Sequence, residues 1–152
     1  MSGILADNTG RASGLLKAAG GGGKVGQVVQ QVYTATYSVT SQNAWGAMPT
    51  ATLTITPTAT SSKIFVMLQC IIGNNNWGST RLYRDIGGAG VAEVSGAHAA
   101  TVSSRQGAWH GHIYKEQDAS QAPAMTNTYL DSPNTTSAIV YHLYTTNHSS
   151  DV

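Results

Sequence analysis

After Lys24 the chain is a series of short runs rich in β-branched and aromatic residues, some of which alternate apolar and polar with a period of two, and this pattern predicts strands. Val28 to Tyr37 is rich in β-branched and aromatic residues. From Thr52 to Thr56 the threonines alternate with Leu53 and Ile55, and Pro57 ends the run. Ile64, Val66, Leu68, Cys70 and Ile72 share one face of the next segment. Its other face carries Phe65, Met67 and Ile71. Apolar residues on both faces predict a central strand, or one covered on both sides. Further strands are predicted at Arg81–Arg84, Val91–Val94, Ala99–Ser103, Ala108–Lys115, Met125–Leu130 and Ala138–Thr145, with Ile139, Tyr141 and Leu143 on one face of the last. Gly, Asn, Ser and Pro turns separate them. The expected fold is therefore all-β: an antiparallel β-sandwich, jelly-roll-like, over residues 24–152.

Residues 1–23 read differently. Ile4-Leu5 and Leu15-Leu16 are apolar doublets in a small polar context, closed by Gly20 to Gly23. Ser13 to Ala19 could form two helical turns, stopped by the glycines. A helix that short is unstable alone and is ordered only by docking. These residues are expected to be an anchoring arm with a glycine hinge. The first twenty residues lack the continuous apolar core of a secretory leader, so synthesis in a cytoplasm is expected.

Composition changes the picture in one respect. The chain has 152 residues, enough for one domain, of which 41% are hydrophobic but only 10% charged. Thr, Ser, Asn, Gln and Gly keep the surface polar, and a surface so poor in charge suits an assembly better than a free monomer. The net charge is +1, and Arg11, Lys17, Lys24, Lys63, Arg81, Arg84, Arg105 and Lys115 are scattered. They form no basic patch for nucleic acid. No apolar run approaches the ~20 residues that span a bilayer, so no membrane insertion is expected. Cys70 has no disulfide partner in the chain and reads as a buried small hydrophobe.

Five pieces recur together in order: SGLLK, GGGGKVGQVVQ, LTITPTATSSKIFVML, RLYRD and YLDSPNTTSAIVYHL. In that order they resemble a family of bacteriophage virion proteins found among tail-fibre and head-fibre tip domains. The resemblance spans nearly all of the chain. It implies an N-terminal virion-anchoring segment, here Ile4, Leu5, Leu15, Leu16 and Lys17, followed by an antiparallel β-sandwich assembled as a homotrimer. It also implies a place on the virion surface, beside other virion proteins such as capsid, portal or adaptor, or fibre base. The implied role is structural: fibre, decoration or host contact. Where the family pattern continues into one or two closing strands, this sequence runs to HSSDV. Either the sandwich is completed differently, as by a neighbouring subunit, or the sequence is cut short relative to the family.

The motifs that could carry chemistry are few. Gly21 to Gly26 formally matches GxGxxG, but it lacks the preceding strand and following helix that aim amides at a pyrophosphate. Asp85, Glu93, Glu116, Asp118 and Asp131 are the carboxylates a polysaccharide depolymerase could use, and their spacing singles out no pair. No nucleophile signature is present, and the chain is not expected to be an enzyme or to need a cofactor. His110 and His112 lie two apart on a predicted strand, so they share a face. Repeated about a trimer axis, they would supply six nitrogens to one metal. Trp77 follows Asn74-Asn75-Asn76 in an expected loop. With Asn75, Asn76 and Tyr83 it is the candidate contact for a host surface glycan, the alternative reading as a carbohydrate-binding module. Asn134 and Asn147 begin glycosylation sequons and read as turn residues.

Overall fold

In the computed structural model the described residues are 25–38, 44–71, 77–101, 106–113 and 124–148. They form seven strands: β1 (Gly46–Ile55), β2 (Ile64–Ile71), β3 (Trp77–Ile86), β4 (Val91–Glu93), β5 (His110–Ile113), β6 (Ala124–Asp131) and β7 (Ile139–His148). Every pairing is antiparallel. One sheet has the order β1-β7-β3-β4, with β5 also on β3; the other is β2-β6 alone. The all-β, sandwich-like expectation is borne out. A jelly roll needs eight strands, one more than the described residues supply.

β7 is the spine of the larger sheet. It pairs with β3 without a break from Ile139↔Ile86 to His148↔Trp77, and with β1 on its other side. Beyond β3, β4 and β5 follow one another along a single edge. Tyr83↔Glu93 and Thr80↔His110 are joined through Val94 N donating to Leu82 O (3.0 Å) and Trp109 N donating to Thr80 O (2.8 Å). They behave as one strand interrupted by an excursion, which opens with a single 3-10 turn at Ser95–Ala97. The β3–β4 hairpin turns through Gly87 and Gly88, whose φ values of 65° and 79° suit glycine.

The core sits between the sheets. Ile64 from β2 packs with Leu82, Ile139 and Tyr141 from the larger sheet and with Val94 and Ala97 from the excursion. Ile55, Val66, Ile86, Trp109 and Tyr129 close around them. The alternation read at Ile139, Tyr141 and Leu143 holds, since all three are buried. Trp109 is a core residue, and its indole N–H donates to Thr128 O of β6 at 3.3 Å.

Three expectations need correction. Val28 to Tyr37 forms no strand: residues 25–38 lie outside both sheets, and the first strand begins at Gly46. The composition favours a strand, but a strand also needs a partner edge, and none within the described chain takes it. Ala99–Ser103 is not a strand as far as it is described, because Ala99 to Thr101 belong to the excursion. Finally, β2 is not central. Among the described residues it has one neighbour, β6, and its outer face is exposed: Phe65, Met67 and Ile71 are 63%, 68% and 72% exposed, and Leu130 opposite Phe65 is 57% exposed. The apolar second face is real, but no described residue covers it. Among the described residues no helix is long and apolar enough to cross a membrane.

Candidate functional site

Residues three apart on a strand point to opposite faces, so Arg81 and Arg84 of β3 organise two separate polar clusters. Arg81 belongs to the outer face of the larger sheet. Its Nη1 lies 3.0 Å from Glu93 Oε1, and its Nε donates to Gly107 O at 2.6 Å. Its guanidinium also sits 4.3 Å from the centre of the Trp45 ring. A planar cation can satisfy all three partners at once, with its edge to oxygens and its face to the indole. His98 Nε2 is 2.7 Å from the same Glu93 oxygen but lacks the angle of a hydrogen bond. On this face Tyr83 stacks on Tyr144, with ring centroids 3.9 Å apart.

Arg84 faces inward and joins the two sheets. Its Nη1 donates to both carboxylate oxygens of Asp131, at the end of β6. Tyr141, the cross-strand partner of Arg84 on β7, donates its hydroxyl to Asp131 Oδ2 at 2.5 Å. Ser132 N donates to Oδ1 at 2.8 Å. Burial and the bond to Asp131 push the Tyr141 hydroxyl well above the ordinary tyrosine range, so it remains a donor. The buried carboxylate is thus paired and hydrogen-bonded, the condition under which a buried charge is tolerated.

The remaining described carboxylate, Asp85, accepts from Gly90 N at 3.1 Å and fixes the hairpin. All three described carboxylates are therefore engaged within the fold. Glu93 and Asp131 are held on opposite faces of the larger sheet, so they do not converge on one cleft as hydrolysis of a glycosidic bond requires. Glu116 and Asp118 lie outside the described residues. Among the described residues no group of three or more His, Cys, Asp or Glu could hold a metal ion.

The other expected site residues are dispersed. Trp77 is the first residue of β3, paired with His148, and is not in a loop. Asn75 and Asn76 lie outside the described residues. Tyr83 is six strand positions from Trp77, about 20 Å along β3, and is already stacked on Tyr144. His110 and His112 lie on β5, with His110 opposite Thr80. Ile4, Leu5, Leu15, Leu16 and Lys17 lie outside the described residues. Asn134 has a left-handed backbone, φ 52°, as a turn asparagine does. Asn147, by contrast, is a strand residue of β7. No local pattern in the sequence marks the Trp45–Arg81–Glu93 cluster, because its members come from three segments. The RLYRD motif is the one visible signal, with two arginines at an odd spacing. Compared with protein families, curated proteins and solved structures, the chain matches none.

Proposed function

We propose that this chain is a structural bacteriophage virion protein, a fibre or a capsid or tail decoration. Residues 1–23 anchor it, and the β-sandwich is displayed at the particle surface in several copies, three being the number the family resemblance implies. The observation that carries this reading is the open face of β2–β6. Phe65, Met67, Ile71 and Leu130 are exposed together, and the only charged residue in either strand is the buried Asp131. Covering those side chains is worth about 1–2 kcal/mol each, given how much of each is exposed. An exposed face this rich in large apolar side chains, with Gln69, Thr126 and Thr128 between them, marks an interaction surface. The three described carboxylates are all engaged within the fold, which supports a building block over an enzyme.

Deleting residues 2–19 tests the anchor. Particles assembled with the shortened chain are expected to lose it, and retention at full occupancy would overturn the reading.

A second reading, recognition of a host surface glycan, is favoured by the outer face of the larger sheet. There Trp45, Tyr83 and Tyr144 lie beside Arg81, and aromatic faces next to hydrogen-bonding groups suit sugars. A glycan array should then show binding that Tyr83→Ala weakens. If Trp77→Ala weakens it instead, the contact lies at the start of β3.

A further inference from the structure

We infer that residues 25–38 of one copy of this chain add as an antiparallel strand to the open edge of β2 in a second copy. This rests on the multi-copy part of the reading above, and not on the chain's place in a particle.

The donor is the segment VGQVVQQVYTATYS. It carries no charged residue and is rich in valine, threonine and tyrosine, the composition of a strand. Yet it lies outside both sheets, with Val28 81% and Val32 72% exposed. Its backbone pairs with no strand among the described residues. A stretch with this composition has apolar side chains and amide groups to place, and no described strand takes them.

The acceptor follows from comparing the sheet edges. β1 is blunted by Pro49 and by a register break between Ala47 and Thr52. β4 and β5 are three and four residues long. The carbonyl of Thr128 in β6 takes the Trp109 indole N–H. Proline, irregularity, short length and cover are the devices by which proteins protect an edge. Among the described residues β2 has none of them. It runs eight residues, IFVMLQCI, in unbroken register with β6, without proline, glycine or charge. Among the described residues this sheet has two strands, the least stable kind, and a third would stabilise it.

The two pieces fit. Eight residues of β2 span about 26 Å, and a fourteen-residue extended segment reaches about 46 Å. Strand addition supplies the affinity through backbone hydrogen bonds, while alternate side chains of the new strand enlarge the Phe65–Met67–Ile71 face. Parallel pairing with aligned starts would bring Lys24 beside Lys63, and antiparallel pairing separates them. Donor and acceptor are different surfaces, so every copy is satisfied either by reciprocal exchange in a dimer or by closure of a head-to-tail ring.

The test uses the purified full chain. Light scattering at about 10 µM is expected to show an oligomer, and hydrogen exchange should show protected amides along both edges of β2. Val28→Pro with Val32→Pro removes two donor amides in a segment outside both sheets. This double variant should be monomeric with unchanged circular dichroism, and its outer β2 amides should exchange at least tenfold faster. To separate trans from cis pairing, a chain with p-benzoylphenylalanine at Gln30 is mixed with an isotopically heavy chain and irradiated. Cross-links from the light chain to heavy residues 64–71 are expected. A monomeric full chain, an oligomer indifferent to the two prolines, or cross-links confined to one chain would each overturn the proposal. None of those outcomes bears on whether residues 1–23 anchor the protein, which the deletion experiment reads separately.

Discussion

The hydroxyl of Tyr141 on β7 donates to the carboxylate of Asp131 on β6, 2.5 Å away, and so ties one sheet of the sandwich to the other. Arg84 binds the same carboxylate from β3. Most of the contact between the sheets is apolar and non-directional, whereas this cluster fixes their relative position.

Replacing Asp131 with Ala leaves Arg84 without its carboxylate and Tyr141 without an acceptor. The expected cost is about 3 kcal/mol, as for other half-removed buried pairs. Urea unfolding measures it. Lys63→Ala, which removes only an exposed bond to Ser132, is the control and should shift stability by less than about 0.5 kcal/mol.

The same hydroxyl sets a stability limit at high pH. In the unfolded chain a tyrosine titrates near pH 10, and in the fold Tyr141 titrates higher because it is buried and donates to Asp131. A raised folded value stabilises fully below the unfolded one and is lost as pH rises beyond it. Stability should therefore fall above about pH 10, and Tyr141→Phe should flatten that decline while lowering stability at neutral pH. A series of unfolding curves between pH 8 and 11 checks both. If the slope is unchanged in the variant, Tyr141 is not its source.

Gly107 lies where no side chain fits, since a Cβ there would come 1.9 Å from the carbonyl oxygen of Ala99. Its own carbonyl accepts from Arg81, so displacing it also loosens the Trp45–Arg81 contact. Gly107→Ala should cost about 2–3 kcal/mol. Gly26→Ala, with nothing within 4 Å of its Cβ, should be neutral. Thermal unfolding of the two variants side by side decides it.

Cys70 faces partly inward on β2, and burial pushes its thiol up. Less thiolate and less access both slow alkylation. Iodoacetamide should modify the native chain more slowly than the urea-unfolded chain at the same pH. Equal rates would place the thiol in water.

Residues that satisfy each other locally are legible in the amino-acid sequence. The alternation at Ile139, Tyr141 and Leu143 marks a buried face, and that face is buried. β2 is legible as a strand with two apolar faces, but no described residue covers the second. Val28 to Tyr37 shows the same limit from the other side, as a strand-forming composition that joins no edge among the described residues. Asp131, in LDSPN, reads as a turn residue and does bind Ser132 N as one. Its partner Arg84 is 47 positions away, and only the stacking of the two sheets brings them together.

The registers also give the molecule two poles. Ile55, Ile86 and Ile139 are level across the larger sheet, and Ile64 and Asp131 end the smaller one. The connections 56–63, 87–90 and 132–138 therefore cluster at a single end. Gly46, Trp77 and His148 mark the opposite end, about 30 Å away along ten-residue strands. If the N-terminal segment is the proposed anchor, the chain entering at Gly46 is a tether that holds the body by one pole and presents those three connections outward at the other. Cargo fused into the Gly87–Gly90 turn would stand at the point farthest from the tether, without crossing a sheet.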